Sequence, residues 1–148
     1  MARRVDAKLA ALKTTPLFEG LSKKDLAAVG RIADEIDLPA GKELIAEGEL
    51  GHQFFVLLEG EAEVRRRGRK VNTLRAGDFF GEIALLSADS RTTATVTATT
   101  PVRVLVLTRP SFSKLLRDAP KVQWAVIQAL VKRLPLDDAF AAKLLQRR

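Results

Sequence analysis

The sequence predicts a mostly β domain with flanking helices, in which short strands form a jelly-roll barrel. Apolar residues recur at helical spacing before residue 34, alternate with a period of two from 35 to 108, and then return to helical spacing. Turn-like residues separate the alternating runs, which is typical of sandwiches and barrels. A chain of 148 residues suits a single domain. We therefore predict an N-terminal helical element (1–34), a β segment (35–108), two helices (109–134) and a C-terminal tail (135–148).

The N-terminal element contains two predicted helices, which Pro16 separates. Residues 3–13 place Val5, Leu9 and Leu12 at helical spacing. The second helix begins after Ser22, which together with Asp25 resembles a capping box. Its apolar face consists of Leu26, Val29, Ile32 and Ala33.

The β segment is predicted to contain seven short strands, at 35–38, 43–46, 53–59, 61–66, 70–75, 91–98 and 102–108. Glycine-containing turns separate most of them. The strand at 53–59 is apolar on both faces, because Phe54 and Val56 alternate with Phe55 and Leu57. We expect both faces of this strand to be covered.

Three prolines divide the C-terminal part into helices. Pro110 begins the first helix, Pro120 ends it and begins the second, and Pro135 ends the second. An apolar stripe beside Trp124 is expected to pack against the β segment; it consists of Val122, Val126, Ala129 and Leu130.

The composition excludes several classes of chemistry. The chain has no cysteine, so disulfides, thiolate metal sites and cysteine nucleophiles are excluded. Its one histidine, His52, disfavours a histidine metal centre and a Ser-His-Asp triad. A metal centre of the usual kind is therefore not expected. We also expect a protein that is not an enzyme and has no cofactor. No apolar run approaches the roughly 18 residues of a membrane span, and a cytoplasmic location fits the absence of cysteine.

The formal net charge of +7 favours an anionic partner. Nucleic acid, an acidic membrane surface and a phosphorylated small ligand all fit that charge. Five cations lie on a predicted hairpin tip at 65–70, without interleaved aromatics, so we interpret them as charges that guard a sheet edge. Only 14 residues follow Leu134, too few for a helix-turn-helix unit, so nucleic acid is not expected as a partner.

The segment most informative about function is Gly77-Asp78-Phe79-Phe80-Gly81-Glu82-Ile83-Ala84-Leu85-Leu86, followed by Arg91-Thr92-Thr93-Ala94-Thr95-Val96. This segment resembles the phosphate-binding cassette of the cyclic-nucleotide-binding domain family, which includes regulatory subunits of cyclic-AMP-dependent kinase, nucleotide-gated channels and catabolite activator proteins. The resemblance covers roughly residues 14–134. It implies a β-roll (a double-stranded β-helix) with N-terminal helices and C-terminal hinge and lid helices. The ligand it implies is cyclic AMP or cyclic GMP, and its implied site residues are Phe80, Gly81, Glu82, Ile83, Ala84, Arg91, Thr92 and Thr93.

The residue types suit such a ligand. Gly81 permits a close backbone approach, and a short helix beginning near Ile83 would direct backbone N–H groups at an anion. Glu82 can accept a hydrogen bond from a ribose hydroxyl. Arg91 offers a planar, permanently charged fork for phosphate oxygens. The hydroxyls of Thr92 or Thr93 can add phosphate or base contacts.

The spacing around Arg91 departs from the family pattern. Two threonines separate Arg91 from Ala94, whereas the family usually has one residue there. Because strand side chains alternate, Thr92 would then share the face of Ala94 and Val96, and Arg91 would point away. We predict that a bulge at Thr92–Thr93 absorbs the extra residue and returns Arg91 to the pocket.

Two functions follow from these alternatives. The first is a sensor module in which nucleotide binding repositions the helices near 110–118 and 121–134. The second is a degenerate barrel that binds no nucleotide and serves as a protein interaction module. A homodimer and an effector domain in trans both remain open as partners. A threonine directly after the arginine is associated in the family with cyclic GMP, yet cyclic AMP is the commoner ligand, so the base preference also stays open.

Overall fold

The computed structural model describes residues 9–10, 12–13, 15–81 and 91–133, and the elements below lie within them. Residues 9–10 and 12–13 are helical, and Pro16–Phe18 forms one turn of 3-10 helix. Helix α1 spans Lys23–Ile32. The Ser22 side chain caps it by accepting a hydrogen bond from the Asp25 amide, at 3.1 Å, as the sequence predicts.

Eight strands form two antiparallel four-stranded sheets. The first sheet has the order β1-β8-β3-β6, and the second has the order β2-β7-β4-β5. The strands are β1 Asp34–Leu38, β2 Glu43–Ile45, β3 Gln53–Glu59, β4 Ala62–Arg66, β5 Arg69–Leu74, β6 Phe79–Phe80, β7 Thr95–Ala98 and β8 Val102–Thr108.

Strand β3 lies between two apolar cores, which confirms that both of its faces are covered. Phe54 and Val56 face a core formed with the helices, and Phe55 and Leu57 face a core between the sheets. All four side chains are at most 5% exposed. Burying one such side chain stabilises the fold by about 1.5–3 kcal/mol. This strand, paired with β8, is therefore the rigid element on which the neighbouring turns are held.

Two helices follow β8 and complete the helix-side core. Helix α2 spans Arg109–Asp118 and is capped by Thr108, whose hydroxyl accepts a hydrogen bond from the Ser111 amide. Helix α3 spans Pro120–Arg133. Phe112 of α2 stacks on Phe54 with ring centroids 4.4 Å apart. The Lys121 ammonium donates to the Gly20 carbonyl at 3.0 Å, which ties α3 to the N-terminal element.

The structure differs from the predicted β segment in two strands and in the closure of the sheets. The two-residue strand β6 was not predicted, because two residues are too few to show alternation. The strand predicted at 91–98 begins only at Thr95. Among the described residues the two sheets pack as a roll and do not close into the barrel that the sequence predicts.

Candidate functional site

Gly81, the second residue of the predicted cassette, has a backbone conformation that favours glycine. It directly follows β6 and has φ of +92°. A Cβ added here would lie 2.7 Å from the Gln53 carbonyl oxygen and 3.5 Å from the Ile45 side chain. The backbone therefore turns out of the sheet at the first residue of β3, in a space that admits no side chain.

Phe80 lies in the core between the sheets. It is 4% exposed and stacks on Phe55, with ring centroids 4.9 Å apart and planes within 7°. This side chain anchors the start of the cassette in the core. Glu82, Ile83 and Ala84, the other predicted residues of this stretch, lie outside the described residues.

Arg91 re-enters the described structure beside the turn that precedes β3. Its backbone forms an isolated antiparallel bridge with Leu50. Its exposed side chain donates from Nη1 to the Gly48 carbonyl at 3.0 Å. The guanidinium therefore lies against the turn at 46–49.

Thr92 joins the same turn through its backbone and its hydroxyl. Its amide donates to the Glu49 carbonyl, and its carbonyl accepts from the Gly48 amide, both at 2.9 Å. Its Oγ1 donates to the Ala46 carbonyl and lies 3.1 Å from the Glu49 carbonyl. The donor of this hydroxyl is thus directed at the backbone. Thr93 is exposed and follows it in the same loop.

Buried and partly exposed side chains alternate along β7, and the buried Ala94 continues this alternation before it. Ala94, Val96 and Ala98 are buried, and Thr92, of the same parity, is half-buried, whereas Arg91 is exposed. Leu50 pairs with Arg91, and Ile45 pairs with Val96. Between these two pairs lie four residues on each segment, 46–49 and 92–95. Neither segment has an extra residue, so the two segments leave the β2–β7 ladder together. The predicted one-sided bulge at Thr92–Thr93 is not what these pairings show; the register shift lies on β2, between Glu43 and Ile45.

An apolar surface lies beside the cassette residues. Ile45 and Val64 are only partly buried and pack against the core between the sheets, next to Val96. Such a surface suits the flat face of an aromatic ligand, because a base loses water-exposed area when it rests on aliphatic side chains. Ile45 connects this surface to the cassette, because a Cβ added at Gly81 would lie 3.5 Å from Ile45 Cδ1.

Two residues that the sequence analysis did not predict as site residues also touch this site. Glu47 accepts a hydrogen bond from the Arg67 amide at 2.9 Å through its carboxylate, and its own amide donates to Thr95 Oγ1 at 3.0 Å. Arg66 donates from Nε to the Thr93 carbonyl at 3.2 Å. These contacts join residues 20 to 48 positions apart, so local patterns carry no signal for them.

A second polar cluster lies away from the cassette, on the outer side of β1 and β8. Arg103 pairs with Glu35, Asp37 and Glu59 at 2.9 to 3.5 Å. The hydrogen bond that Arg103 donates to Asp37, together with the neighbouring carboxylates, raises the pKa of Arg103. A cleft of about 270 Å³ adjoins this cluster and contains none of the predicted site residues; it is lined by Asp37, Leu38, Pro39, Glu59, Pro101, Val102 and Arg103.

Comparison with known proteins identifies the class. The cyclic nucleotide-binding domain model matches residues 35–119. The chain is 42% identical over 106 residues to the cAMP-dependent protein kinase regulatory subunit of Eremothecium gossypii, covering 71% of this chain and 23% of that protein. It is 34% identical over 113 residues to the cGMP-dependent protein kinase egl-4 of Caenorhabditis elegans, covering 72% and 14%.

A solved structure supports the same family and fold. The structure of PKAR CBD2 with bound Sp-2Cl-cAMPS superposes with a TM-score of 0.76 at 26% identity, covering 88% of this chain and 89% of that one. The chain therefore belongs to the cyclic nucleotide-binding domain family and has the predicted β-roll fold. More narrowly, it resembles the regulatory domains of cyclic-nucleotide-dependent kinases, although it spans only about a quarter or less of the curated relatives' length.

Two further findings concern the described residues alone. Within them, no helix is long and apolar enough to cross a bilayer. The same part of the chain holds no group of three or more histidine, cysteine, aspartate or glutamate side chains arranged to bind a metal ion.

Proposed function

We propose that this chain is a regulatory module that binds cyclic AMP or cyclic GMP and changes the position of its C-terminal helices when it does so. The site would comprise Phe80 to Ala84 and Arg91 to Thr93. The module would act without catalysing a reaction. Its effector would be a domain in trans, a second copy, or a further part of a longer protein.

The observation that carries this proposal is that both ends of the cassette are fastened to one short segment, Leu50–Phe54. Gly81 lies against the Gln53 carbonyl, and Arg91 pairs with Leu50. Gly81 and Arg91, the described residues on either side of 82–90, therefore lie at neighbouring points of the structure. This arrangement supports a closed loop whose backbone N–H groups and arginine face one anion.

Each site residue has a role that its chemistry supports. Arg91 would supply the cation for the phosphate, and its exposed side chain is accessible to a ligand from solvent. Glu82 would accept from the ribose hydroxyl, and the amides near Ile83 and Ala84 would donate to the phosphate. Gly81 would permit the close approach.

Thr92 would act mainly by holding the turn at 46–49, because its hydroxyl already donates to a carbonyl. Its oxygen still has capacity to accept, and the same holds for Thr93. Either hydroxyl would therefore take a donor from the base or the sugar, which is why the choice between the two nucleotides stays open.

The change in helix position would be a population shift. Helices α2 and α3 pack on the core beside Phe54, and a ligand moves them only if it binds one arrangement better than another. Trp124, the single tryptophan of the chain, lies on α3 and is 62% exposed. If α3 closes over the bound base, the emission of Trp124 shifts to shorter wavelength at saturating nucleotide. An unchanged emission spectrum at saturation contradicts the repositioning.

Isothermal titration tests nucleotide binding itself. The purified chain is titrated with cyclic AMP, with cyclic GMP, and with 5′-AMP as a control that carries a similar base and a different phosphate. We expect saturable heat with at least one cyclic nucleotide and a weaker response with 5′-AMP. The absence of heat with both cyclic nucleotides at millimolar concentration would refute the proposal.

One observation favours a second function, a nucleotide-free interaction module. Thr92, rather than Arg91, has the sequence parity of the buried Ala94 and Val96, and its side chain is less exposed than that of Arg91. If that parity also holds with ligand present, the pocket lacks its main cation. Replacing Arg91 with alanine separates the two functions. Loss of nucleotide binding supports the regulatory module, and an unchanged titration supports the interaction module.

The predicted division of the chain accompanies this proposal. Residues 1–34 would be the N-terminal helical element, 35–108 the β-roll with the cassette at 80–96, 109–134 the hinge and lid helices, and 135–148 a tail. A cytoplasmic location stays a prediction from the sequence, and so does the absence of a nucleic-acid partner.

A further inference from the structure

We propose that Glu47, in the turn at 46–49, and Arg66, at the tip of the β4–β5 hairpin, are positioning residues that hold the Arg91 segment in place. The importance of this role for ligand binding rests on the proposed function. The contacts themselves involve only described residues. They give the cations of the hairpin at 65–70 different structural roles, beyond the protection of a sheet edge.

The first connection runs through Glu47. Its carboxylate accepts from the Arg67 amide at 2.9 Å, at the tip of the hairpin. Its own amide donates to Thr95 Oγ1 at 3.0 Å, at the first residue of β7. The next residue, Gly48, offers the carbonyl to which Arg91 donates at 3.0 Å. Glu47 therefore fixes the turn on which the Arg91 guanidinium rests.

The second connection runs through Arg66, whose Nε donates to the Thr93 carbonyl at 3.2 Å. Thr93 lies in the stretch between the Arg91 bridge and the start of β7. Ladder hydrogen bonds are interrupted there, so side-chain contacts replace part of the missing support. The Arg66 side chain therefore restrains the segment from the side opposite to the turn at 46–49.

The neighbouring cations of the hairpin have other tasks. Arg65 donates to both Glu63 oxygens, at 2.8 and 3.1 Å, and to the Gly68 carbonyl, so it stabilises the hairpin itself. Arg69 pairs with Arg66 across the hairpin through the backbone and is exposed. Arg69 therefore provides a control with the same charge on the same hairpin.

Amide hydrogen exchange tests the positioning without any ligand. The variants are Arg66→Ala with Arg69→Ala as its control, and Glu47→Ala with Glu49→Ala as its control. We expect Arg66→Ala and Glu47→Ala to accelerate exchange at Gly48 and Thr92 by roughly two- to tenfold, the effect of losing one hydrogen bond. Both controls should leave these amides unchanged. Glu47→Gln should restore the wild-type rate, because the amide oxygen also accepts from Arg67.

A general loss of stability would give a different pattern. It would accelerate exchange in β3 and β8 as well, whereas lost positioning affects only the Arg91 segment and the turn. Equal acceleration in a variant and its control, or acceleration that extends to β3 and β8, would overturn the assignment.

Nucleotide titration then connects the positioning to binding. If both proposals hold, Arg66→Ala weakens cyclic nucleotide binding by roughly two- to tenfold, and Arg69→Ala does so by less than twofold. If Arg66→Ala changes exchange but leaves the affinity of a binding-competent chain unchanged, the role in ligand binding is refuted. If the wild-type chain binds no nucleotide while the exchange differences appear, the proposed function fails and the positioning assignment stands.

Discussion

Replacing Gly81 with alanine tests whether the cassette leaves the sheet by a close backbone approach. Two costs add at this position. An L-residue at positive φ costs about 1–2 kcal/mol. The new Cβ would also lie 2.7 Å from the Gln53 carbonyl oxygen, and relieving such overpacking costs typically 1–3 kcal/mol. We therefore expect Gly81→Ala to lower the free energy of unfolding by about 2–5 kcal/mol.

Gly41→Ala is the matched control for the conformational cost. Gly41 has φ of +88°, close to the +92° of Gly81, but an added Cβ there has no neighbour within 4 Å. It should cost only about 1–2 kcal/mol. Any gain from a less flexible unfolded chain is common to both variants, so it cancels in the difference.

Urea denaturation gives the measurement. With a mid-range slope of about 2 kcal/mol/M, the additional loss of about 1–3 kcal/mol in Gly81→Ala lowers its midpoint below that of Gly41→Ala by about 0.5–1.5 M at an unchanged slope. Equal midpoints for the two variants would refute the close approach. The result would show that the Gln53 carbonyl lies farther from the cassette than the structure has it.

Two further predictions concern single interactions near the site. Thr92→Val keeps the shape of the side chain but removes the hydroxyl that donates to the Ala46 carbonyl. It should therefore lower the free energy of unfolding, measured by urea denaturation, by about 1 kcal/mol, whereas Thr93→Val changes it little. Equal effects of the two substitutions would contradict the role given to the Thr92 hydroxyl. The hydrogen bond from Arg65, and then its charge, lower the pKa of Glu63 below the ordinary 4.5, so this pair stabilises the fold above pH 4.5 and its contribution is lost as the pH falls through the lowered pKa. Arg65→Ala should return the pKa of Glu63 toward 4.5 in an NMR titration, and a pKa that does not rise would show that another cause lowers it.

The local features of the fold were predictable from the sequence because short-range chemistry determines them. Ser22 begins α1 as a cap, and Pro110 and Pro120 lie in the first turns of α2 and α3. The double apolar pattern of β3 correctly predicted a strand covered on both faces. Each of these signals lies within a few residues of the feature that it predicts.

The features that were missed depend on distant parts of the chain. The two residues of β6 form a strand because they pair with Phe55 and Val56 of β3, a pairing that the local pattern does not show. The segment before Thr95 leaves the ladder because the turn at 46–49 and the hairpin tip bind it from both sides. The sequence identified the unusual spacing after Arg91. It did not show that the segments 46–49 and 92–95 leave the β2–β7 ladder together.

A structure of the chain with bound cyclic AMP tests the central claim most directly, since the claim depends on where the Arg91 side chain points. The account predicts that the guanidinium lies at about 2.7–2.9 Å from a phosphate oxygen, with Gly81 at the start of the loop that surrounds the phosphate. A bound nucleotide whose phosphate is held without Arg91, with the guanidinium directed away from it, would contradict the account.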